Sequence, residues 1–292
     1  MSPQHKASEA TASSVSALAS ELTACLTHGK LVLPSYPDVA IRIRKVLADE
    51  NVTPERIGRV LSSEPALAAQ LMRLANSVAL NPGGRAVTEL RAAVARLGFN
   101  MVRSATIAFA MSQVKNATEL RGLKAELDAL WHRSALVAAL CFVSARALPT
   151  VNADEALLAG LLHSIGRFYL LTKAHHHPAV FADAVTYQRT AQQWHAVLAT
   201  ALLEQWEMPK SIVEAVKNQD QLDRQHSGPA DLADVLLVAT AVASLRDTPD
   251  ELLSGLQHVP ALSHMGLDGR HLLAMLDASQ EQVNALQTAL GL

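Results

Sequence analysis

Along most of the chain, apolar residues recur at every third or fourth position, which is the spacing of one face of an α-helix. Prolines, glycines and polar clusters separate these segments at short intervals. Strand-like alternation of apolar and polar residues is missing, as are the runs of Val and Ile that are typical of buried strands. The pattern therefore predicts an all-α fold.

The first 29 residues form a separate segment in this pattern. Residues 1–14 are polar and rich in Ser, Ala and Thr, which predicts a disordered leader. The stretch from Val15 to Leu26 has the spacing of a short amphipathic helix. Gly29 is typical of the position that follows a helix, so the short helix is expected to end there.

Two helical lobes are predicted after this segment. Residues 30–115 hold about five short apolar segments with tight turns between them, which predicts a small N-terminal lobe. Residues 116–120 form a polar junction. A long helix from about Leu120 to Leu148 then opens a second and larger helical lobe that extends to residue 292.

Composition narrows the classes of protein to which the chain can belong. Half of its 292 residues are hydrophobic and 18% are charged, which excludes disorder over most of the chain. The formal net charge of −2 does not favour a broad basic face, so nucleic acid is not expected as a partner. Cys25 and Cys141 are too few for a disulfide framework. With no secretory signal and no apolar stretch of the roughly 20 residues that a spanning helix needs, a cytoplasmic protein without a membrane partner is expected.

Three histidines share helical faces with apolar residues. His132 is followed by Leu136 at the spacing of one helix face, and His163 and His195 have similar apolar neighbours. We therefore expect each of them to point into the second lobe. Two interpretations stay open, because three inward imidazoles could bind one metal ion, or each could be a core histidine with its hydrogen bonds satisfied.

Four motifs resemble those of the HDOD (HD-related output domain) family, and the likeness extends from about Lys30 to at least Leu245. The motifs are Leu-Met-Arg-Leu-Ala-Asn-Ser at 71–77, Ala-Gly-Leu-Leu-His-Ser-Ile-Gly-Arg at 159–167, Leu-Pro-Ser-Tyr-Pro at 33–37 and Ala-Val-Ala-Arg-Leu-Gly at 93–98. The resemblance implies a small helical lobe followed by a lobe that is similar to HD-type metal phosphohydrolases.

The same resemblance implies that the metal-binding positions have degenerated. His132, His163 and His195 match three histidine positions of the HD-type enzymes. Ser164 stands where the aspartate of the His-Asp pair is found, and Thr240 stands where the last aspartate is found. Since hard divalent metals need anionic oxygen ligands, we expect no catalytic residue, no metal and no cofactor. A Zn²⁺ site made of the three histidines alone is the alternative.

The resemblance further implies a bacterial signal-transduction output module that is not catalytic and acts by binding, with links to cyclic-di-GMP signalling. The expected partners are a signalling protein and, as a further hypothesis, a nucleotide second messenger. Imidazole and guanidinium groups can hold phosphate without a metal. The candidate ligand-binding residues are therefore His132, Arg133, His163, Arg167 and His195. The alternative function is a metal-dependent phosphohydrolase or phosphodiesterase with a reduced, histidine-only site.

Overall fold

The computed structural model describes residues 3–29, 31–33, 37–49, 51–174, 176–245 and 248–290. Within these ranges, sixteen α-helices and one 3-10 helix are joined by short turns, and no β-strand occurs, which confirms the predicted all-α class. Three residues of the predicted opening motif, Pro34, Ser35 and Tyr36, lie outside the described residues, as does Lys30 at the predicted lobe boundary.

The elements follow one another closely along the chain. In order they are α1 (Pro3–Thr27), α2 (Asp38–Leu47), α3 (Pro54–Leu61), α4 (Pro65–Ala75), α5 (Leu90–Lys115), a 3-10 helix (Thr118–Leu123), α6 (Lys124–Arg146), α7 (Ala153–Leu162), α8 (Ile165–Thr172), α9 (Pro178–Ala182), α10 (Ala184–Gln205), α11 (Lys210–Lys217), α12 (Leu232–Leu245), α13 (Pro249–Leu256), α14 (Pro260–His264), α15 (Gly269–Ala278) and α16 (Gln280–Ala289).

Helix α1 corrects the prediction for the N-terminus. The sequence predicts a disordered leader over residues 1–14, whereas the described part of that segment, from Pro3, is helical and continuous with the predicted short helix. Alanine, which has the highest helix propensity, recurs throughout the segment. Further along α1, Leu18 and Leu22 are fully buried and the helix packs against α9 and α10. The N-terminal helix is therefore part of the second lobe.

Helices α2 to α5 form the small N-terminal lobe, in which α2, α3 and α4 all pack against α5. Helix α3 begins with two residues that favour helix starts. The Thr53 side chain accepts a hydrogen bond from the backbone N–H of Arg56, and Pro54 follows at the first helical position. Helix α5 is kinked at Gly98, whose φ of 72° and ψ of 166° are not helical. The kink divides α5 into two helical segments, as a glycine that adopts positive φ allows.

The second lobe is built around α6, which packs against α7, α12 and α16. The predicted long helix differs at its start, where residues 118–123 form a 3-10 turn before the α-helix begins at Lys124. In the described part of the chain, one helical stretch, 120–146, is long and apolar enough to cross a membrane. Because 67% of its apolar window is buried inside the fold, this stretch is also what the core helix of a globular lobe looks like.

Two glycines allow the helices of the second lobe to approach one another closely. A Cβ atom at Gly160 of α7 would lie 2.4 Å from the Cα of Ala138 in α6. A Cβ atom at Gly166 of α8 would lie 1.9 Å from the carbonyl oxygen of His195 in α10. Both distances are far inside van der Waals contact, so the backbones can be this close only because neither position carries a side chain.

Candidate ligand-binding cavity

A cavity of about 440 Å³ opens in the second lobe, where α6, α8, α10, α12 and the ends of α7 and α11 meet. Its volume lies within the range of pockets that take small molecules. The lining side chains are Glu126, Ala129, Leu130, Arg133, His163, Arg167, Tyr187, Gln188, His195, Gln219, Asp220 and Thr240.

The structure brings most of the predicted positions to this cavity, although the set spans more than 100 residues of the chain from Arg133 to Thr240. Those that line it are Arg133, His163, Arg167, His195 and Thr240.

Two of the predicted positions, His132 and Ser164, do not line the cavity, and the predicted inward orientation of His132 is wrong. The side chain of His132 is exposed, and Nδ1 lies 3.2 Å from the backbone oxygen of Asp128 in the preceding turn. From Ala135 to Ala145 nearly every residue of α6 is buried, on all sides of the helix. A helix that is apolar on every side has no single face that its sequence marks as inward. The spacing between His132 and Leu136 therefore does not predict the direction in which His132 points. The neighbouring Arg133 lines the cavity instead.

His163 follows the last residue of α7 and is 5% exposed. Its Nδ1 donates a hydrogen bond to the backbone oxygen of Gly160, at 2.6 Å, which leaves Nε2 with the lone pair. Burial lowers the pKa of His163 to about 3, and the nearby guanidinium groups of Arg133 and Arg167 act in the same direction. The imidazole is therefore neutral near pH 7.

His195 projects from the middle of α10 and pairs with a carboxylate that the sequence analysis missed. Its Nε2 lies 2.8 Å from Oδ2 of Asp220, in the turn after α11. This hydrogen bond holds the pKa of Asp220 below its usual range. The Nδ1 atom of His195 is buried without a hydrogen-bond partner in the described part of the chain. The only signal in the sequence is a polar turn at 218–220.

Two guanidinium groups face the cavity. Nη2 of Arg133 donates to the backbone oxygen of Thr240 at 3.3 Å and to Oγ of Ser244 at 2.7 Å, whereas Nη1 of Arg167 is 3.5 Å from Oε1 of Gln188. Among the residues described, neither forms an ion pair with a carboxylate. Burial and the second guanidinium lower the pKa of Arg133, but an arginine stays charged in proteins. The cavity thus holds two cations that a bound anion could pair with.

Two hydroxyl side chains, those of Ser164 and Thr240, stand where the resemblance places carboxylates, and both are already hydrogen-bonded within the protein. Oγ of Ser164 lies 2.5 Å from Oγ of Ser134, and both side chains are buried. Oγ1 of Thr240 donates to the backbone oxygen of Leu237 at 2.8 Å. Neither hydroxyl is an anionic ligand of the kind that a hard dication prefers.

The cavity offers few ligands for the metal ions that HD-type enzymes bind. With His132 outside it, only His163 and His195 supply imidazole, and His195 is already paired with Asp220. Within the described ranges, no group of three His, Cys, Asp or Glu side chains around this cavity brings its ligand atoms within 4.8 Å of one another. Two guanidinium groups also repel a cation. The residues present do not fit a divalent metal pair.

Comparison with known proteins agrees with this all-helical, two-lobed architecture. Over 95% of its length, the chain superposes on 99% of a structure from Shewanella amazonensis SB2B that is provisionally named a metal-dependent phosphohydrolase, with a TM-score of 0.73 and 23% identity. It also covers 98% of an HDOD domain protein of unknown function from Geobacter sulfurreducens over 93% of its own length, with a TM-score of 0.67 and 21% identity. At these identities the similarity establishes the fold, which is that of the HD-like helical proteins.

The sequence of the chain shows to which family it belongs. The family described as HDOD domain matches residues 33–222, which is more than half of the chain, and the chain belongs to this family. A curated relative, an uncharacterized protein of Treponema pallidum (strain Nichols), is 21% identical over 200 residues. These residues make up 63% of this chain and 37% of that protein, so the chain spans less than half of the length of its relative.

Proposed function

We propose that this chain is a non-catalytic signal-transduction module that binds a phosphate-bearing small molecule, of the size of a nucleotide, in the cavity of its second lobe. Arg133 and Arg167 carry the proposal, because both line one cavity and neither has a carboxylate partner among the described residues. Guanidinium groups bind phosphate oxygens through charge-assisted hydrogen bonds. A signalling protein would then bind the module in its liganded state, in keeping with the family to which the chain belongs.

The neutral residues of the cavity support the same proposal. His163 presents an unprotonated Nε2, and the polar side chains of Tyr187, Gln188 and Gln219 lie on the wall. Such groups can hydrogen-bond to a sugar or a base, while the guanidinium groups hold the phosphate. Asp220 is occupied by His195, which leaves the exposed Glu126 as the other carboxylate on the wall.

Hydrolysis of a phosphoester is the alternative function. It would need a polarising group and an activated water, and HD-type enzymes supply both with metal ions. Here the two carboxylate positions are Ser164 and Thr240, and both hydroxyls are bound within the protein. We therefore expect binding without turnover.

The test is a titration of untagged, chelator-treated protein with cyclic-di-GMP, GMP and inorganic phosphate in a calorimeter. We expect saturable binding of at least one nucleotide, weaker at higher salt because the contact is ionic. The Arg133→Gln and Arg167→Gln variants should each lose about tenfold or more in affinity. Arg270→Gln is the matched control, because Arg270 is exposed on α15, far along the chain from this cavity.

Turnover is measured on the same samples by release of phosphate or of the opened nucleotide in Mn²⁺ or Mg²⁺. Binding of none of the three probes, or binding that both arginine variants retain, contradicts the ligand proposal. Turnover that disappears in His163→Ala contradicts the non-catalytic assignment and favours the phosphohydrolase alternative.

A further inference from the structure

A second cluster of titratable side chains lies in the same lobe, away from the cavity. His226 comes from the loop before α12, Asp234 from the first turn of α12 and His264 from the last residue of α14. One potential ligand atom from each lies within 4.8 Å of the others. Asp234 precedes Thr240 by six residues, which is about 9 Å along a helix, so the cluster is separate from the cavity wall. All three residues also follow the segment 33–222 that matches the family.

The ligand atoms of the cluster converge on one carboxylate oxygen. Nε2 of His226 lies 2.8 Å from Oδ2 of Asp234, and Nδ1 of His264 lies 3.3 Å from the same oxygen. The two imidazole rings lie with their centroids 4.1 Å apart and their planes tilted by 53°. The side chain of Asp234 is 1% exposed, and those of His226 and His264 are 20% and 18% exposed. The cluster is thus largely shielded from solvent.

One atom of the cluster lacks the partner that its burial requires. Nδ1 of His264 is buried, and among the described residues nothing meets it with the geometry of a hydrogen bond, although Oδ2 of Asp234 is near. Buried polar atoms without a hydrogen-bond partner are rare in folded proteins, and ligation of an ion is one of the recognised reasons for them. The unsatisfied nitrogen lies 3.3 Å from Oδ2 of Asp234, one of the two other potential ligands.

The spacing of these atoms suits a tetrahedral metal. Ligand atoms that lie about 2.0–2.2 Å from Zn²⁺ in tetrahedral geometry are about 3.3–3.6 Å from one another. The 3.3 Å between His264 and Asp234 already has this value. The 2.8 Å between His226 and Asp234 is a hydrogen-bond distance, which would open by about 0.5 Å when a metal replaces the shared proton.

The charges around the cluster also suit a dication. Arg224 pairs with Oδ1 of Asp234 at 3.0 Å and with the carboxylate of Asp231. Two carboxylates and one guanidinium leave a net charge of −1 when both imidazoles are neutral. The Arg224 contact also fixes the orientation of the Asp234 carboxylate, as outer-shell groups do around metal ligands.

We propose that His226, Asp234 and His264 form a Zn²⁺ site with water as the fourth ligand, which ties the loop before α12 and the helix α14 to the start of α12. Two nitrogen donors and one carboxylate favour Zn²⁺ over Mg²⁺ or Ca²⁺, which take oxygen ligands. The metal binds the unsatisfied nitrogen of His264, and its two positive charges more than offset the net charge of −1. The competing description is a metal-free His-Asp-His hydrogen-bonded group, and the experiment separates the two.

The experiment uses the full, untagged chain, stripped with chelator and then titrated with ZnCl₂. We expect about one equivalent of zinc to be retained after gel filtration, together with a rise in Tm that EDTA reverses. His226→Gln, His264→Gln and Asp234→Asn should each weaken binding by about tenfold or more. His258→Gln is the matched control, since His258 is exposed six residues before His264 and should leave the stoichiometry unchanged.

A second measurement does not depend on the folding of any variant. Zinc-edge X-ray absorption of the wild-type chain should show two imidazoles and oxygen ligands at about 2.0–2.2 Å. His163→Gln should keep the zinc, because His163 lines the cavity and does not belong to the cluster of His226, Asp234 and His264. The proposal is overturned when the stripped chain retains no zinc, when His226→Gln and His264→Gln retain it unchanged, or when the spectrum lacks two imidazoles. None of these results depends on nucleotide binding in the cavity.

Discussion

Nε2 of His195 on α10 lies 2.8 Å from Oδ2 of Asp220 in the turn after α11, and this pair is the acidic side of a cavity whose other charged wall is formed by Arg133 and Arg167. The pair orients the imidazole and holds the pKa of Asp220 low. Asp220 itself is an exposed residue, so its charge is partly screened by solvent.

Replacing Asp220 by Asn separates the two functions proposed for the cavity. If the cavity binds a phosphate-bearing anion without turnover, Asp220→Asn removes a repelling charge and should strengthen nucleotide binding by a factor of about 3–10 at low salt. The measurement is the calorimetric Kd of the nucleotide that binds best. A phosphohydrolase would instead lose activity with this carboxylate. Asp223→Asn, in the same exposed turn region, is the control for a general charge effect.

Gly166 should be intolerant of even one methyl group. The Cβ of Gly166→Ala would lie 1.9 Å from the carbonyl oxygen of His195 and 3.0 Å from the backbone nitrogen of Ala199, so α8 must move away from α10. We expect a loss of about 1–3 kcal/mol or more in the free energy of unfolding, with weaker ligand binding because His195 shifts. Urea denaturation followed by circular dichroism measures the change.

The matched control for that substitution is Gly58→Ala in α3. A Cβ at Gly58 would meet no atom within 4 Å, and the residue lies inside a helix. Alanine has the higher helix propensity, so this variant should be more stable by up to about 1 kcal/mol. Equal destabilisation by the two substitutions would contradict the close contact of α8 with α10.

Helix α1 should contribute to the stability of the second lobe. Leu22 is fully buried where α1 packs on α9 and α10, so Leu22→Ala should cost about 2–4 kcal/mol. The adjacent Thr23 is exposed and its hydroxyl bonds only within the helix, so Thr23→Ala should change stability by less than about 0.5 kcal/mol. Similar stabilities for the two variants would mean that α1 is not docked on the lobe in solution.

The features of the fold that can be predicted from the sequence are those whose physical causes act between residues close together in the chain. The all-α class and the start of α3 at Thr53 follow from spacing and capping, which act within a few residues. The docking of α1 does not follow, because Leu18 and Leu22 meet partners more than 150 residues further along the chain. The predicted leader is wrong over the described residues 3–14, because the prediction gave more weight to the polarity of the segment than to the helix propensity of its alanines.

The same limit applies to the candidate cavity, where some residues could be placed from the sequence and others could not. The motif around His163 and the positions of His195 and Thr240 could be placed by resemblance, and the structure brings all three to one cavity, where their role stays a prediction. His132 could not be placed by spacing, because α6 is apolar on every side near it. Asp220 had no motif to mark it, since a single carboxylate in a polar turn becomes part of a site only when α11 brings it to His195.

The buried imidazole of His163 makes stability depend on pH. Its pKa is about 3 in the folded protein, because burial disfavours the charged form, and about 6.5 in the unfolded chain. Between these values the unfolded chain binds more protons, so stability is complete above about pH 6.5 and falls as the pH decreases towards 3. The full effect amounts to a few kcal/mol, of which about 1 kcal/mol should appear between pH 6 and pH 5. The lowered pKa of Asp220 adds a loss of the same sign, but only near and below the usual range of a carboxylate.

The measurement is the free energy of unfolding in urea at about pH 7, 6 and 5 for the wild type and for His163→Gln. The glutamine does not titrate, so the stability of this variant should fall less over the same interval, even if the substitution lowers stability at pH 7. His132→Gln, at an exposed histidine of the same lobe, is the control for the general effect of replacing a histidine by glutamine. Parallel pH profiles for the wild type and His163→Gln would show that the imidazole is not held neutral by burial, and the cavity would then contain a third cation at mildly acidic pH.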